Sequence, residues 1–121
     1  SIIMYFMEKG KIYLLLDWCS SPEKYKIGIT KNEISKRIKQ LTTGSSSELV
    51  LINSYESENY KKIETILHRN YKSYSTCGGK EWFELPGDKV IEFQKKCKQI
   101  DDTINFLNKN NKFLIKKNKI I

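Results

Sequence analysis

Apolar positions alternate with a period of two in two stretches of the chain and recur at helical spacing in three others. In residues 11–17, Ile12, Leu14 and Leu16 share one face of a predicted strand, with Tyr13, Leu15 and Asp17 on the other. In residues 24–30, Tyr25, Ile27 and Ile29 point one way and Lys24, Lys26, Gly28 and Thr30 the other. Ser20, Ser21 and Pro22 mark a loop between the two, so they read as a hairpin. Residues 49–55 read as a third strand, and residues 2–6 as an extra edge strand. Thr30 followed three residues later by Glu33 forms a capping box, which predicts a helix from there to Thr43-Gly44. Its apolar face is Ile34, Ile38 and Leu41, with Arg37 on the flank of that stripe. A second helix, capped by Ser57 or Asn59, is predicted to run to about Tyr74. Tyr60, Ile63, Leu67, Tyr71 and Tyr74 form its buried stripe, Glu64 lies on the stripe's edge, and His68 follows one turn on. Residues 81–85 read as a short strand or extended segment. A last helix, capped by Asp88, is predicted to about Asn108, with Val90, Phe93, Cys97, Ile100, Ile104 and Leu107 inward and Asn110-Asn111 ending it.

These elements predict a mixed α/β (α+β) domain: a small three-stranded antiparallel sheet flanked by helices. Residues 1–10 form a lead or edge strand, 11–108 the domain, and 109–121 a basic tail. A chain of 121 residues carries one modest core. No apolar run approaches a membrane span, and Ser1 opens an apolar stretch without the basic lead or cleavage site of a signal peptide. Cys19, Cys77 and Cys97 are scattered, with no metal-ligand spacing, and reduced thiols are expected. The expected setting is a cytoplasmic, nuclear or host-cell interior.

Net charge is +8, which favours an acidic partner, and nucleic acid above all. Residues 89–121 supply +6 of it, so the basic excess lies at the C-terminal end. Twenty of the 22 basic side chains are lysine, and only Arg37 and Arg69 are arginine. In such a chain an arginine marks a place where a planar bidentate fork is wanted, or stands there by chance.

Four ionisable side chains border apolar faces: Tyr13, Lys26, Arg37 and Glu64. Together they match the needs of phosphodiester cleavage. A phenol or neutral amine orients or deprotonates a water. A guanidinium holds two phosphate oxygens and offsets transition-state charge. A carboxylate holds a divalent cation against the leaving oxygen.

The order K-I-Y, then K-I-G after a short loop, then a helix arginine and a glutamate on the next helix, resembles the GIY-YIG nuclease family. It is most similar to the phage- and virus-type branch, with Glu64 and His68 as E-x-x-x-H and Glu81-Trp82-Phe83 as the E-W-F segment. The resemblance covers roughly residues 10–95. It implies a divalent-metal-dependent DNA endonuclease with one metal site for Mg2+ or Mn2+ and no small-molecule cofactor. Tyr13 then matches the general base, Arg37 the helix arginine, Glu64 the metal ligand and Gly28 the glycine closing the second motif; His68 joins the catalytic set. Trp82 is a structural element of the motif. Lys36, Lys39, Lys112, Lys116 and Lys117 are the expected nucleic-acid contacts. Two positions depart from the pattern: Lys11 replaces the first motif's glycine, with Gly10 before it, and Lys26 replaces the second motif's tyrosine. A desolvated Lys26 beside Arg37 would lose basicity and help activate water.

Each of these residues also has a plainer reading. Tyr13 serves equally as a core-edge aromatic, Lys26 as a solvated strand residue, and Arg37 as a partner of Glu33. Glu64 can pair with Lys61 or His68, and His68 can make a structural hydrogen bond. The function classes left are therefore a nuclease, a nucleic-acid-binding module on the same fold with catalysis impaired, and an interaction domain that binds an acidic protein surface. Oligomeric state and the DNA recognised are not written in the pattern.

Overall fold

The computed structural model describes residues 8–44, 48–76 and 79–120, with backbone alone at 79–80 and 111–120. The strands are β1 (Gly10–Asp17), β2 (Lys24–Thr30), β3 (Leu49–Ser57), β4 (Ser75–Thr76) and β5 (Gly79–Phe83). The helices are α1 (Ile34–Thr42), α2 (Tyr60–Asn70), the short α3 (Gly87–Ile91) and α4 (Phe93–Ile120), with a 3-10 turn at Lys72–Tyr74. The predicted extra strand at residues 2–6 lies outside the described residues.

The sheet has the order β3-β1-β2-β5-β4, and every pairing in it is antiparallel. The three expected strands form one side of it, with β1 between β2 and the edge strand β3. The small three-stranded sheet is corrected to five strands. The E-W-F segment does more than pack: it turns back from β4 and adds itself to β2 through the pairs Tyr25↔Phe83 and Lys26↔Trp82. β2 otherwise has an open edge, so an extended segment rich in aromatic side chains satisfies its backbone there.

Both faces of β1 are buried, as its unbroken apolar run suggests. Ile12, Leu14 and Leu16 join Tyr25 and Ile27 against α2, Phe83 and the first turns of α4. Tyr13 and Leu15 face the other way, under Ile34 with Ile38, Leu41 and Leu49 beside it. Each such side chain withdrawn from water contributes roughly 1.5–3 kcal/mol. The predicted core at Phe93, Cys97, Ile100 and Ile104 is buried, whereas Leu107 is 52% exposed.

Three boundaries differ from expectation. α1 begins at Ile34, because Thr30 stays in β2 and its hydroxyl accepts the Asn32 N–H at 3.1 Å instead of capping the helix. Neither Ser57 nor Asn59 caps α2 in the usual way; the Asn59 side chain donates to Asp101 and Asn105, each at 2.8 Å. α4 does not stop at Asn110-Asn111 but runs on to Ile120. Asparagine costs a helix only a few tenths of a kcal/mol more than lysine, and no glycine or proline follows Gly87. Lys112, Lys116 and Lys117 thus lie on helical backbone, where side chains are outside the described set. Among the described residues no helix is long and apolar enough to cross a membrane.

Candidate active site

The site is built around the middle of β2. Tyr13 on β1 stands opposite Gly28, and a Cβ at position 28 would overlap the Tyr13 hydroxyl. The glycine is therefore the space into which the phenol leans. α1 covers the same sheet face, and its Arg37 donates from Nε to the Tyr13 hydroxyl at 3.4 Å and from Nη1 to Gln40 at 3.4 Å. The helix-flank position read from the sequence thus brings the guanidinium to Tyr13, and not to Glu33. Tyr13 is 1% exposed, so the phenol is almost wholly enclosed at this contact.

α2 lies on the opposite sheet face and reaches the site around the edge of β2. β5 pairs with β2 only at Tyr25 and Lys26, so the strand is uncovered from Ile27 onward. His68 takes up that edge: its Nε2 lies 2.8 Å from the Ile27 carbonyl. A carbonyl only accepts, so Nε2 carries a proton here. The imidazole packs at 5.4 Å from the Phe83 ring. The structural hydrogen bond expected as one reading of His68 is present.

One turn earlier, Glu64 is half-buried. Burial pushes its carboxyl above the ordinary glutamate value; His68 pulls it back, Glu81 raises it further and Lys26 lowers it. Among the described residues the Glu64 side chain has no hydrogen bond and no ion pair, with Lys61 and His68 included. Its oxygens are nevertheless not sealed off, since no buried side-chain oxygen or nitrogen among the described residues lacks a partner. A desolvated, unpartnered hard-oxygen donor with an open side is what a single-carboxylate site for a divalent cation needs.

Lys26 is buried at 7% exposure. Its ammonium turns to Glu81 Oε2 at 2.5 Å and lies 5.3 Å from the centroid of the Trp82 ring. Trp82 and Phe83 stand on opposite faces, as alternation predicts, and Phe83 enters the core. Glu81 is the site residue that the sequence did not yield. Its partner is 55 residues away, and only the E-W-F register on β2 joins them.

Lys36 and Lys39 are exposed on α1. Arg69 is exposed and lines a groove of about 380 Å³ with His68, Lys72, Ser75 and Phe83, next to the open edge. Among the described residues no cluster of three or more acidic, histidine or cysteine side chains is arranged to hold a metal.

The model of the T5orf172 domain matches residues 10–107, most of the chain. The chain belongs to the T5orf172 family. That domain is phage-associated and occurs in some nuclease-like proteins. No curated protein and no solved structure matches the chain. The T5orf172 region begins with β1 and ends within α4, so it contains Tyr13, Lys26, Gly28, Arg37, Glu64, His68, Glu81 and Trp82. It is compatible with a nuclease or DNA-binding role.

Proposed function

We propose that this T5orf172 protein is a divalent-metal-dependent DNA endonuclease with a GIY-YIG-type site. The observation that carries the reading is the convergence of the Arg37 guanidinium on the Tyr13 hydroxyl over Gly28. The guanidinium's donation fixes the orientation of the phenol oxygen, which suits a group that must meet the attacking water. The same guanidinium has further N–H groups with which to grip a phosphate. Glu64, at the strand edge and without a partner, would hold Mg2+ or Mn2+. Such an ion, when bound, supplies charge stabilisation for the leaving oxygen. His68 holds α2 against β2 and so fixes where Glu64 stands. In this scheme Lys36 and Lys39 contact the DNA backbone, and cleavage is one hydrolytic displacement at phosphorus.

The test is plasmid nicking by parent and Glu64→Gln with and without Mg2+ or Mn2+, with DNA affinity measured in parallel. The expected result is metal-dependent nicking by the parent, and a variant that binds DNA as well or better but does not cut. A Glu64→Gln variant that cuts like the parent would sink the metal-site assignment.

A second reading, a catalytically impaired nucleic-acid-binding module, is favoured by one observation: Lys26, which replaces the second motif's tyrosine, is tied to Glu81. A parent that binds DNA with a salt-dependent affinity and never cuts it would select that reading.

A further inference from the structure

The motif departs from its pattern at Lys26, and the structure does not leave that side chain free. The β4–β5 hairpin joins the central strands through two residue pairs, and the second sets Trp82 beside Lys26. Beyond that pair the Ile27 carbonyl goes to His68, so the hairpin's pairing stops at Lys26. The ammonium meets the Glu81 carboxylate at 2.5 Å, and the two side chains are 9% and 43% exposed. A buried ammonium without a counter-charge costs several kcal/mol, so a lysine here needs such a partner. The Trp82 ring, 5.3 Å away, adds a second electronegative surface.

We infer that Glu81 is a positioning residue: with Trp82 it holds Lys26 as a fixed cation on the Tyr13 face of the site. This rests on the nuclease reading, and it divides the work within that reading. Lys26 contributes charge toward bound phosphate, and Tyr13 is left as the base. With Lys26 engaged by Glu81, it does not turn to Glu64 and occupy the carboxylate that a metal ion needs. The E-W-F segment is thereby part of the site, and its glutamate is as much a requirement as its two aromatic residues.

The test compares the whole chain with Glu81→Gln, Glu81→Asp and, as a control on an exposed neighbour, Glu84→Gln. Nitrogen-15 NMR of the lysine amines in metal-free protein reads the pair directly. The parent should show a slowly exchanging Lys26 ammonium displaced by the Trp82 ring; Glu81→Gln should lose that signal, Glu81→Asp should keep part of it, and Glu84→Gln should leave it unchanged. In nicking assays Glu81→Gln should lower kcat by about tenfold or more with little change in KM, and Glu81→Asp should recover part of the rate. An unchanged amine signal in Glu81→Gln would overturn the inference. So would equal losses of rate in the Gln and Asp variants accompanied by a fall in Tm, which would make the role structural. A parent that cuts no DNA defeats the nuclease reading alone, and the amine signal then decides the positioning of Lys26 by itself.

Discussion

Tyr13 and Arg37 were legible because each is fixed by a short-range rule. Strand alternation puts Tyr13 on the face away from Ile12 and Leu14, and the helical period puts Arg37 beside the Ile34–Ile38 stripe, so the two meet wherever α1 covers that face. Glu81 was not legible, because its role depends on which strand the E-W-F segment pairs with and in which register. Arg37→Lys should retain the fold and lose most cleavage, on the order of tenfold or more, since lysine keeps the charge and loses the fork. Unaltered cleavage in that variant would return Arg37 to a structural role. Tyr13→Phe should reduce the rate comparably with little change in Tm. Gly28→Ala places a methyl where the Tyr13 hydroxyl lies and should cost roughly 1–3 kcal/mol as well as activity. Chemical denaturation and nicking on the same preparations separate these outcomes. Glu64 adds a pH signature. Its folded-state pKa is raised, by burial first, so its contribution to stability is present at acid pH and is lost as pH rises through that value. Ionised Glu64 is then a net cost to the metal-free fold, and Glu64→Gln should have a Tm at neutral pH equal to or above the parent's, the gap closing in acid.

At the scale of elements, the sequence placed β1, β2, α1, β3 and α2 in order, because each carries a clear period. It missed the junctions, which are made by side chains distant in sequence. Asp101 on α4 is the clearest. Its carboxylate accepts from the Tyr55 hydroxyl at 2.7 Å and from Ser57 and Asn59 at 2.8 Å, tying β3 and the start of α2 to the last helix. Burial alone would raise the Asp101 pKa, but the hydrogen bonds from Asn59, Tyr55 and Ser57 outweigh it and hold the carboxyl below the ordinary aspartate value. This is the opposite sign from Glu64. Its stabilisation is present above the unfolded value of 3.8 and is lost as pH falls through the lower folded value. Asp101→Ala leaves three donors without their acceptor and should cost about 1–3 kcal/mol at neutral pH. Thermal melts of both proteins across the acid range should converge as the parent's carboxylate is protonated. Because the cluster lies on β3 and α4, away from the Tyr13–Arg37 contact, nicking by any folded fraction of the variant should match the parent's.

On the scale of the molecule, the charge is divided between two parts. The folded sheet and its first two helices are nearly balanced, and residues 89–121 carry +6 of the +8. The basic tail expected at residues 109–121 continues α4 as far as Ile120. Among the described side chains of that helix the last buried one is Ile104, and residues 105–110 are exposed, so that stretch contributes little to the core. A lysine-bearing helix that extends past the core can supply phosphate contacts without altering the site. Removing residues 112–121 takes away four lysines and should leave Tm nearly unchanged. DNA affinity should fall, and the slope of log affinity against log salt should flatten by about 0.9 for each phosphate no longer neutralised, hence by up to roughly 3.6. Cleavage measured at saturating DNA should persist at the parent's rate, because Tyr13, Arg37 and Glu64 are untouched. Unchanged affinity at both low and moderate salt would show that the lysines beyond Asn111 do not meet DNA, and would move the electrostatic contact to Lys36 and Lys39 on α1. A fall in the rate at saturating DNA would instead mean that the end of α4 helps to place the scissile phosphate over Arg37.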